Sequence, residues 1–432
     1  MHSSRGRYSN NRGGRGRWYG STVQRGGMEL PEKALPFGTV ISTLTHEEVK
    51  TSLSSGRATS ITGCHEADEQ RLTSEVDTTQ TASSTGRRFR RLLPRYQRRT
   101  IPKHPIEPAV RAVLSQNPDF IPDEIDLFAC GSTMGHLLRF ARKSDKKFRF
   151  VVEVVDGTVF FIRRENSPDE KIPDLRGYGH TMPEAYTTLD SCIRGSVSHQ
   201  RMIRYEIGGI ECVVRCESDG YLADKGTAST TANVCAGKFE TLQMLAGGKV
   251  VPQAAIFDIK TRSVRKKGEN ILAAEITRLW LRQIPNFIMA YHRSGVFEDI
   301  EVLDIRKQIL QWETEHADEI SVFSAILERV ITFARSQAGI AFEVCSQLPH
   351  VLEFRQVGGQ IGSVLPDELK KVWTDCNLDA DEESTDGASD EHIGSDAGGG
   401  VSIDSGGEDD SDGEPDYTAC TERCDYCGRC KY

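Results

Sequence analysis

The chain has 432 residues, enough for a sizeable core, yet only 38% are apolar, and the shortfall lies at its two ends. The formal charge of −9 is equally local: sixteen Asp and Glu and no Lys or Arg fall between Asp375 and Asp416, so the remainder sums to +7. No apolar run is long enough for a membrane-spanning helix, and the start lacks the apolar core of a secretory signal.

In chain order, residues 1–27 carry Arg5, Arg7, Arg12, Arg15, Arg17 and Arg25 among glycines, with Tyr8, Trp18 and Tyr19 between them. Glycine opposes folding, arginine binds phosphate and aromatic rings stack on bases, a combination suited to RNA. The stretch is acid-free up to Glu29, which leaves a mitochondrial address open beside the nuclear or cytoplasmic one. Residues 28–85 read as a Thr- and Ser-rich linker. A basic run follows, with Arg87, Arg88, Arg90, Arg91, Arg95, Arg98, Arg99 and Lys103 around Phe89 and Tyr96. It suits phosphate contact, a nuclear address or a solvated connector. The expected organisation is a disordered basic region over 1–104, one α/β domain over 105–374, an acidic disordered linker over 375–418 and a cysteine knuckle over 419–432.

Within the domain, helices are expected over 109–116 and 132–142. Strands over 148–155 and 158–164 meet at Asp156-Gly157, a strong hairpin signal. A helix is expected over 183–193, then strands over 202–207 and 210–219 meeting at Gly208-Gly209. Signals are weak over 222–248, read as an insertion. A strand over 253–261 and a helix over 270–283 follow, then a strand pair over 286–291 and 298–304. Helices over 306–315 and 317–335 and strands over 341–346 and 351–356 close the domain. The order lacks regular βαβ alternation and predicts an α+β fold, a mixed sheet flanked by helices.

Two segments place carboxylates where strands should be apolar: Arg215-Cys216-Glu217-Ser218-Asp219 and Ile256-Phe257-Asp258-Ile259-Lys260-Thr261. Strand alternation puts Glu217 with Asp219 on one face, and Ile256, Asp258 and Lys260 together on another. Opposing the two strands gathers three carboxylates around one ammonium. That cluster calls for a cation and suits Mg²⁺ or Mn²⁺, with Lys260 set to orient a water at a phosphate. The bland alternative is a salt bridge between Asp258 and Lys260 on an edge strand.

This arrangement resembles the PD-(D/E)XK nuclease superfamily, and within it the DXO/Rai family of RNA-decapping exonucleases. Ser198-His199, Gly208-Gly209, Glu217-Ser218-Asp219, Asp258-Ile259-Lys260-Thr261 and Trp280 follow the order of that family's motifs. Gly177-Tyr178-Gly179-His180, leading to Glu184, takes the place of an upstream Gly-aromatic motif and its glutamate. The resemblance covers about residues 177–305. It implies a metal-dependent nuclease or RNA 5′-end processing enzyme with Glu217, Asp219 and Asp258 on Mg²⁺ or Mn²⁺, Lys260 on the water and Glu184 as a further ligand. The interval from Asp219 to Asp258 is longer than in those enzymes. Glu211 shares the parity of Glu217 and stands as an alternate ligand. A second implication, from a different class, is an RNA-binding or scaffold protein that keeps the fold without turnover. The whole chain also resembles a set of uncharacterised fungal proteins, some labelled geranylgeranyl pyrophosphate synthase. The residues do not support that chemistry, since the only adjacent Asp pair, Asp409-Asp410, lies in the acidic tail.

Cys420, Cys424, Cys427 and Cys430 complete the sequence. Four thiolates at this spacing suit a tetrahedral Zn²⁺ knuckle, because zinc itself supplies the folding energy of so short a segment. The other eight cysteines are scattered singly, as reduced thiols of an intracellular protein are. The acidic stretch before the knuckle offers a surface to a protein partner or to the chain's own basic segments.

Overall fold

The structure, a computed structural model, describes residues 36–52, 61–62, 103–164, 181–187, 199–225, 237–239, 242–245, 250–293, 295–337, 339–359 and 361–375. The strands are β1 (Val40–Thr45), β2 (Ile61–Thr62), β3 (Leu127–Cys130), β4 (Phe148–Val155), β5 (Thr158–Arg163), β6 (Gln200–Ile207), β7 (Ile210–Glu217), β8 (Gly220–Tyr221), β9 (Gly237–Lys238), β10 (Gln243–Met244), β11 (Ile256–Ser263), β12 (Asn286–Arg293), β13 (Val296–Asp304), β14 (Phe342–Leu348) and β15 (Val351–Gln356). The helices are α1 (His46–Ser52), α2 (Glu107–Gln116), α3 (Gly131–Ala141), α4 (Thr181–Tyr186), α5 (Ile271–Leu281), α6 (Arg306–Glu315), α7 (Ala317–Ser336) and α8 (Asp367–Asp375).

Among the described residues, one sheet runs β1-β15-β14-β4-β5-β3-β7-β6-β2, a second runs β13-β12-β11-β8, and β9 and β10 form a small ribbon. Both larger sheets are mixed. β3 is parallel to β5 and β7, and β11 is parallel to β12, while the remaining pairs are antiparallel. The expected α+β architecture, mixed sheet with flanking helices, is the observed one. The β4–β5 and β6–β7 hairpins turn at Asp156-Gly157 and Gly208-Gly209, with all four residues at positive φ, the conformation that fits the twist of a tight hairpin.

Helices α3, α5 and α7 cover one face of the first sheet around a core that includes Leu137, Leu138, Phe150, Phe161, Tyr205, Trp280 and Phe323. The opposite face is closed by α2 and α8. There the buried Trp373 packs on Phe120, Phe128 and Phe160 and donates its indole N–H to Thr158 Oγ1 at 3.2 Å. A third, smaller cluster joins Phe257, Ile259, Ile288, Ala290 and Phe297 to Met182 of α4.

The structure departs from the expectations at several places: β3 and α8 form where no element is expected, and the helix expected over 183–193 is α4, which ends at Tyr186. β1 and α1 lie inside the stretch expected to be linker, because β1 adds antiparallel to β15 across Val40↔Arg355 through Thr45↔Val351. The expected strand over 210–219 ends at Glu217, and the chain then crosses to the second sheet as β8. The insertion contributes β9 and β10; the rest of 226–249, apart from residues 239, 242 and 245, lies outside the described residues. So do the Arg/Gly start, the basic run at 87–99, the acidic stretch from 376 on and the four terminal cysteines.

Candidate functional site

The crossing after β7 builds the site. β8 pairs antiparallel with β11 at Tyr221↔Ile256 and Gly220↔Phe257, so the register carried one residue further sets Asp219 opposite Asp258. Asp219 Oδ2 accepts the backbone N–H of Ile259 at 2.6 Å, which pins the turn to β11. Glu217 ends β7 on the first sheet, opposite Gln200, while Asp219 lies in the two-residue link before β8. On β11, Phe257 and Ile259 face the small apolar cluster, and Asp258, Lys260 and Arg262 turn toward α5.

Helix α5 answers that charged face. It begins at Asn270, whose Oδ1 accepts the N–H of Ala273 at 3.1 Å. It then buries Ile276, Leu279 and Trp280 while presenting Glu275 and Arg278 to the strand, with Arg282 just past its end. Arg278 grips Asp258 with a two-pronged fork, Nη1 to Oδ2 at 2.5 Å and Nη2 to Oδ1 at 2.6 Å. Its Nε and Nη2 also donate to Glu275 Oε2 at 3.2 and 3.1 Å. Lys260 Nζ stands 2.9 Å from Glu275 Oε1, and both side chains are 0% exposed. Arg282 Nη1 lies 3.6 Å from Asp258 Oδ2 and 3.4 Å from the carbonyl oxygen of Glu217, and Arg262 Nη2 lies 3.9 Å from Glu275.

Burial pushes Asp219, Asp258 and Lys260 toward neutrality, and the neighbours decide the outcome. Burial, then the charge of Asp258, push the Asp219 carboxyl up to about 7 despite the Ile259 N–H and the two arginines. Asp258 feels the same burial, but Arg278, Arg282 and Lys260 outweigh it and hold its carboxyl below the usual range. Burial pulls Lys260 down, with Glu275 pulling the other way. His199, whose carbonyl oxygen accepts the Ser218 N–H, is pushed down to about 4 by burial and stays a neutral imidazole at neutral pH.

These contacts do not fit a divalent ion. Both oxygens of Asp258 are taken by a guanidinium, and Lys260 Nζ is paired with Glu275 Oε1. Among the described residues, no three His, Cys, Asp or Glu side chains come together as a set able to hold a metal. The structure therefore brings Asp219, Asp258 and Lys260 into one neighbourhood, with Glu217 at the end of β7 reaching it through its carbonyl oxygen, which accepts from Arg282. Glu211 is at the far end of β7, paired with Arg204 at 3.2 Å, and is removed from the site. Glu184 lies on α4, with its side chain outside the described residues. Glu275, Arg278 and Arg282 were missed by strand-based reasoning. Their spacing of three and then four residues along an otherwise apolar helix was the available signal.

The family described as "Domain of unknown function (DUF8563)" matches residues 95–372. No curated protein matches the chain. Among solved structures, S. pombe Rai1 in complex with 3′-FADP aligns with TM-score 0.46 and 10% identity, covering 73% of this chain and 99% of its own. Candida albicans Rai1 in complex with pU5-Mn²⁺ aligns with TM-score 0.49 and 11% identity, covering 80% and 99%. K. lactis Dxo1 in complex with manganese gives 0.39 and 9%, covering 76% and 93%.

Proposed function

The chain belongs to the family described as "Domain of unknown function (DUF8563)", and we propose that it is an RNA-binding protein that keeps a decapping-nuclease type of fold without metal-dependent turnover. The observation that supports this reading is the sign of the site. Three carboxyl groups, Asp219, Asp258 and Glu275, meet four cations, Lys260, Arg262, Arg278 and Arg282. With the Asp219 carboxyl raised to about 7, part of even that negative charge is lost at neutral pH. A site of this sign repels a divalent cation and attracts phosphate. Its innermost members are sealed, but the side chains of Arg262 and Arg282 keep 11% and 17% of their surface in water, at the rim where a phosphate would arrive. The Arg/Gly start and the basic run at 87–99 add sequence-independent grip on the same polyanion.

A hydrolytic reading retains one observation in its favour, the placement of Asp219 opposite Asp258 with Lys260 two residues along β11. A single experiment separates the two. Purified full-length protein is incubated with 5′-labelled RNA and Mn²⁺ beside Asp258→Ala and Lys260→Ala. The expected result is salt-dependent RNA binding with no product in any of the three. Mn²⁺-dependent product formed by the unmodified chain and lost in Asp258→Ala overturns the proposal in favour of the nuclease.

A further inference from the structure

Phe37, just ahead of β1, is 41% exposed. A lone exposed aromatic residue is ordinary on a protein surface; what sets this one apart is its seat. The backbone is fixed on both sides of the ring. Arg149 Nη2 donates to the carbonyl oxygen of Pro36 at 3.3 Å, Arg355 Nη1 to that of Gly38 at 2.8 Å, and the Gln356 N–H to that of Thr39 at 2.8 Å. Two glycines permit so close an approach: a Cβ on Gly38 would stand 2.0 Å from the Gln356 oxygen, and one on Gly358 2.0 Å from the Pro36 oxygen. The same two guanidiniums brace the ring, Arg149 at 4.1 Å and Arg355 at 5.5 Å from its centroid. Arg149 of β4, Glu343 of β14 and Arg355 of β15 share one face of the first sheet, where Glu343 stands opposite both Arg355 and Val151. Arg149 Nη2 donates to both oxygens of the buried Glu343 at 2.8 Å, Arg164 Nε lies 2.9 Å from its Oε1, and Arg355 forks onto Glu353 at 3.1 Å. Three cations therefore face two anions. Burial, with the like charge of Arg149 added, lowers Arg164 below its ordinary range despite Glu343, as an excess of positive charge requires.

We propose that Phe37 is a stacking platform for a base of single-stranded RNA, with Arg149 and Arg355 bracing the ring from the protein side. A ring held out to water on a seat of net positive charge offers a base its π face and offers the adjoining phosphate a favourable potential. The sequence leading into the seat has the same chemistry, with six arginines and three aromatic residues between residues 1 and 27, so a polyanion gathered there lies close in the chain to Phe37. This extends the RNA-binding reading, on which it rests, to a second contact of a different kind, base rather than phosphate. The two contacts are well separated: six strand spacings of about 4.8 Å, roughly 29 Å, lie between β1 and β7, the strand that leads to the candidate site.

Fluorescence anisotropy tests this on the full chain beside Phe37→Ala, Phe37→Leu and Phe37→Trp. Two labelled probes are used: a single-stranded oligouridylate of about 12 nucleotides, within the footprint of such binders, and an RNA duplex of the same length, whose bases are already stacked. Phe37→Ala and Phe37→Leu should weaken single-strand binding roughly 5- to 150-fold and leave duplex binding within about twofold. The salt slope of single-strand affinity should stay the same, because no phosphate contact is lost. Phe37→Trp, with a larger π face, should bind the single strand at least as tightly as the unmodified chain. Unchanged single-strand affinity in Phe37→Leu overturns the proposal. So does an equal loss on both probes, which is what a merely structural role of the ring would give. If Phe37→Ala does not fold, Phe37→Leu decides, since it keeps an apolar cover over Arg149. A patch that joins two copies of the chain gives a different result, unchanged RNA affinity with a sedimenting dimer that Phe37→Ala splits, and the proposal then falls. RNA binding that ignores Phe37 ends this proposal and leaves the proposed function standing, whereas no RNA binding by the unmodified chain ends both.

Discussion

Replacing Glu275 by Gln tests the charge network at its deepest point. The substitution keeps volume and an acceptor oxygen but deletes the anion that faces Lys260 Nζ at 2.9 Å and Arg278 at 3.1 Å. Breaking one side of a fully buried pair leaves an uncompensated charge and costs about 3–5 kcal/mol. Spread over a domain of this size, at roughly 2–4 °C per kcal/mol, that is a fall in melting temperature of about 6–20 °C at pH 7. The loss should also carry a pH signature. Burial already lowers the pKa of Lys260, and without Glu275 it falls further below its unfolded value of about 10.4. The unfolded chain then binds more protons than the fold across that interval, so stability rises with pH there. The gap between variant and unmodified chain should therefore narrow as pH rises toward the unfolded value of about 10.4. Differential scanning calorimetry at several pH values reads both effects. A variant that melts within about 2 °C of the unmodified chain with the same pH slope refutes the buried network.

Asp219 gives the opposite pH signature. Its carboxyl is raised to about 7, so the stability linked to its proton is complete below the unfolded pKa of about 3.9 and lost as pH climbs through 7. Asp219→Asn, neutral at every pH and still able to accept the Ile259 N–H, should gain on the unmodified chain between pH 5 and 8 in urea melts; a constant difference contradicts this. For the terminal cysteines, elemental analysis of the full chain should return one Zn²⁺, absent when Cys424 and Cys427 are both changed to Ser, and a metal content that ignores the change removes the knuckle. Deleting residues 375–418 should raise RNA affinity at low salt by freeing the basic segments, and an unchanged affinity ends that idea.

The parts of the fold that sequence reveals are those whose cause is local. Asp156-Gly157 and Gly208-Gly209 announce hairpins because a two-residue turn with both φ positive suits few other residues. The periodicity over 306–335 locates α6 and α7 because each buries one stripe, Ile309 and Trp312 in the first, and Ile320, Phe323, Ile326, Leu327, Val330 and Ile331 in the second. β1 has no such local cause. Half of its six residues are exposed, and they form a strand because β15, more than three hundred positions later, offers an open edge. β3 is only four residues long, all buried, too short to show a period at all.

The same distinction explains the site. Asp219 and Asp258 could be placed together because the Glu-x-Asp and Asp-x-Lys segments each show their faces within one strand, and pairing was the simplest way to join them. Counting their charges alone made a metal necessary. The counterions lie on the next helix, and Glu275, Arg278 and Arg282 become visible only when the helix is read as carefully as the strands. A helix that buries Ile276, Leu279 and Trp280 on the same turns has no solvent in which to hide three charges, so those charges must be answered by something packed against it. Here the strand that answers them is β11, through Asp258 and Lys260. A charged stripe on an apolar helix that follows an acidic strand is therefore itself a prediction of pairing between the two, and the demand for a metal begins only with the carboxylates left over once that pairing is made.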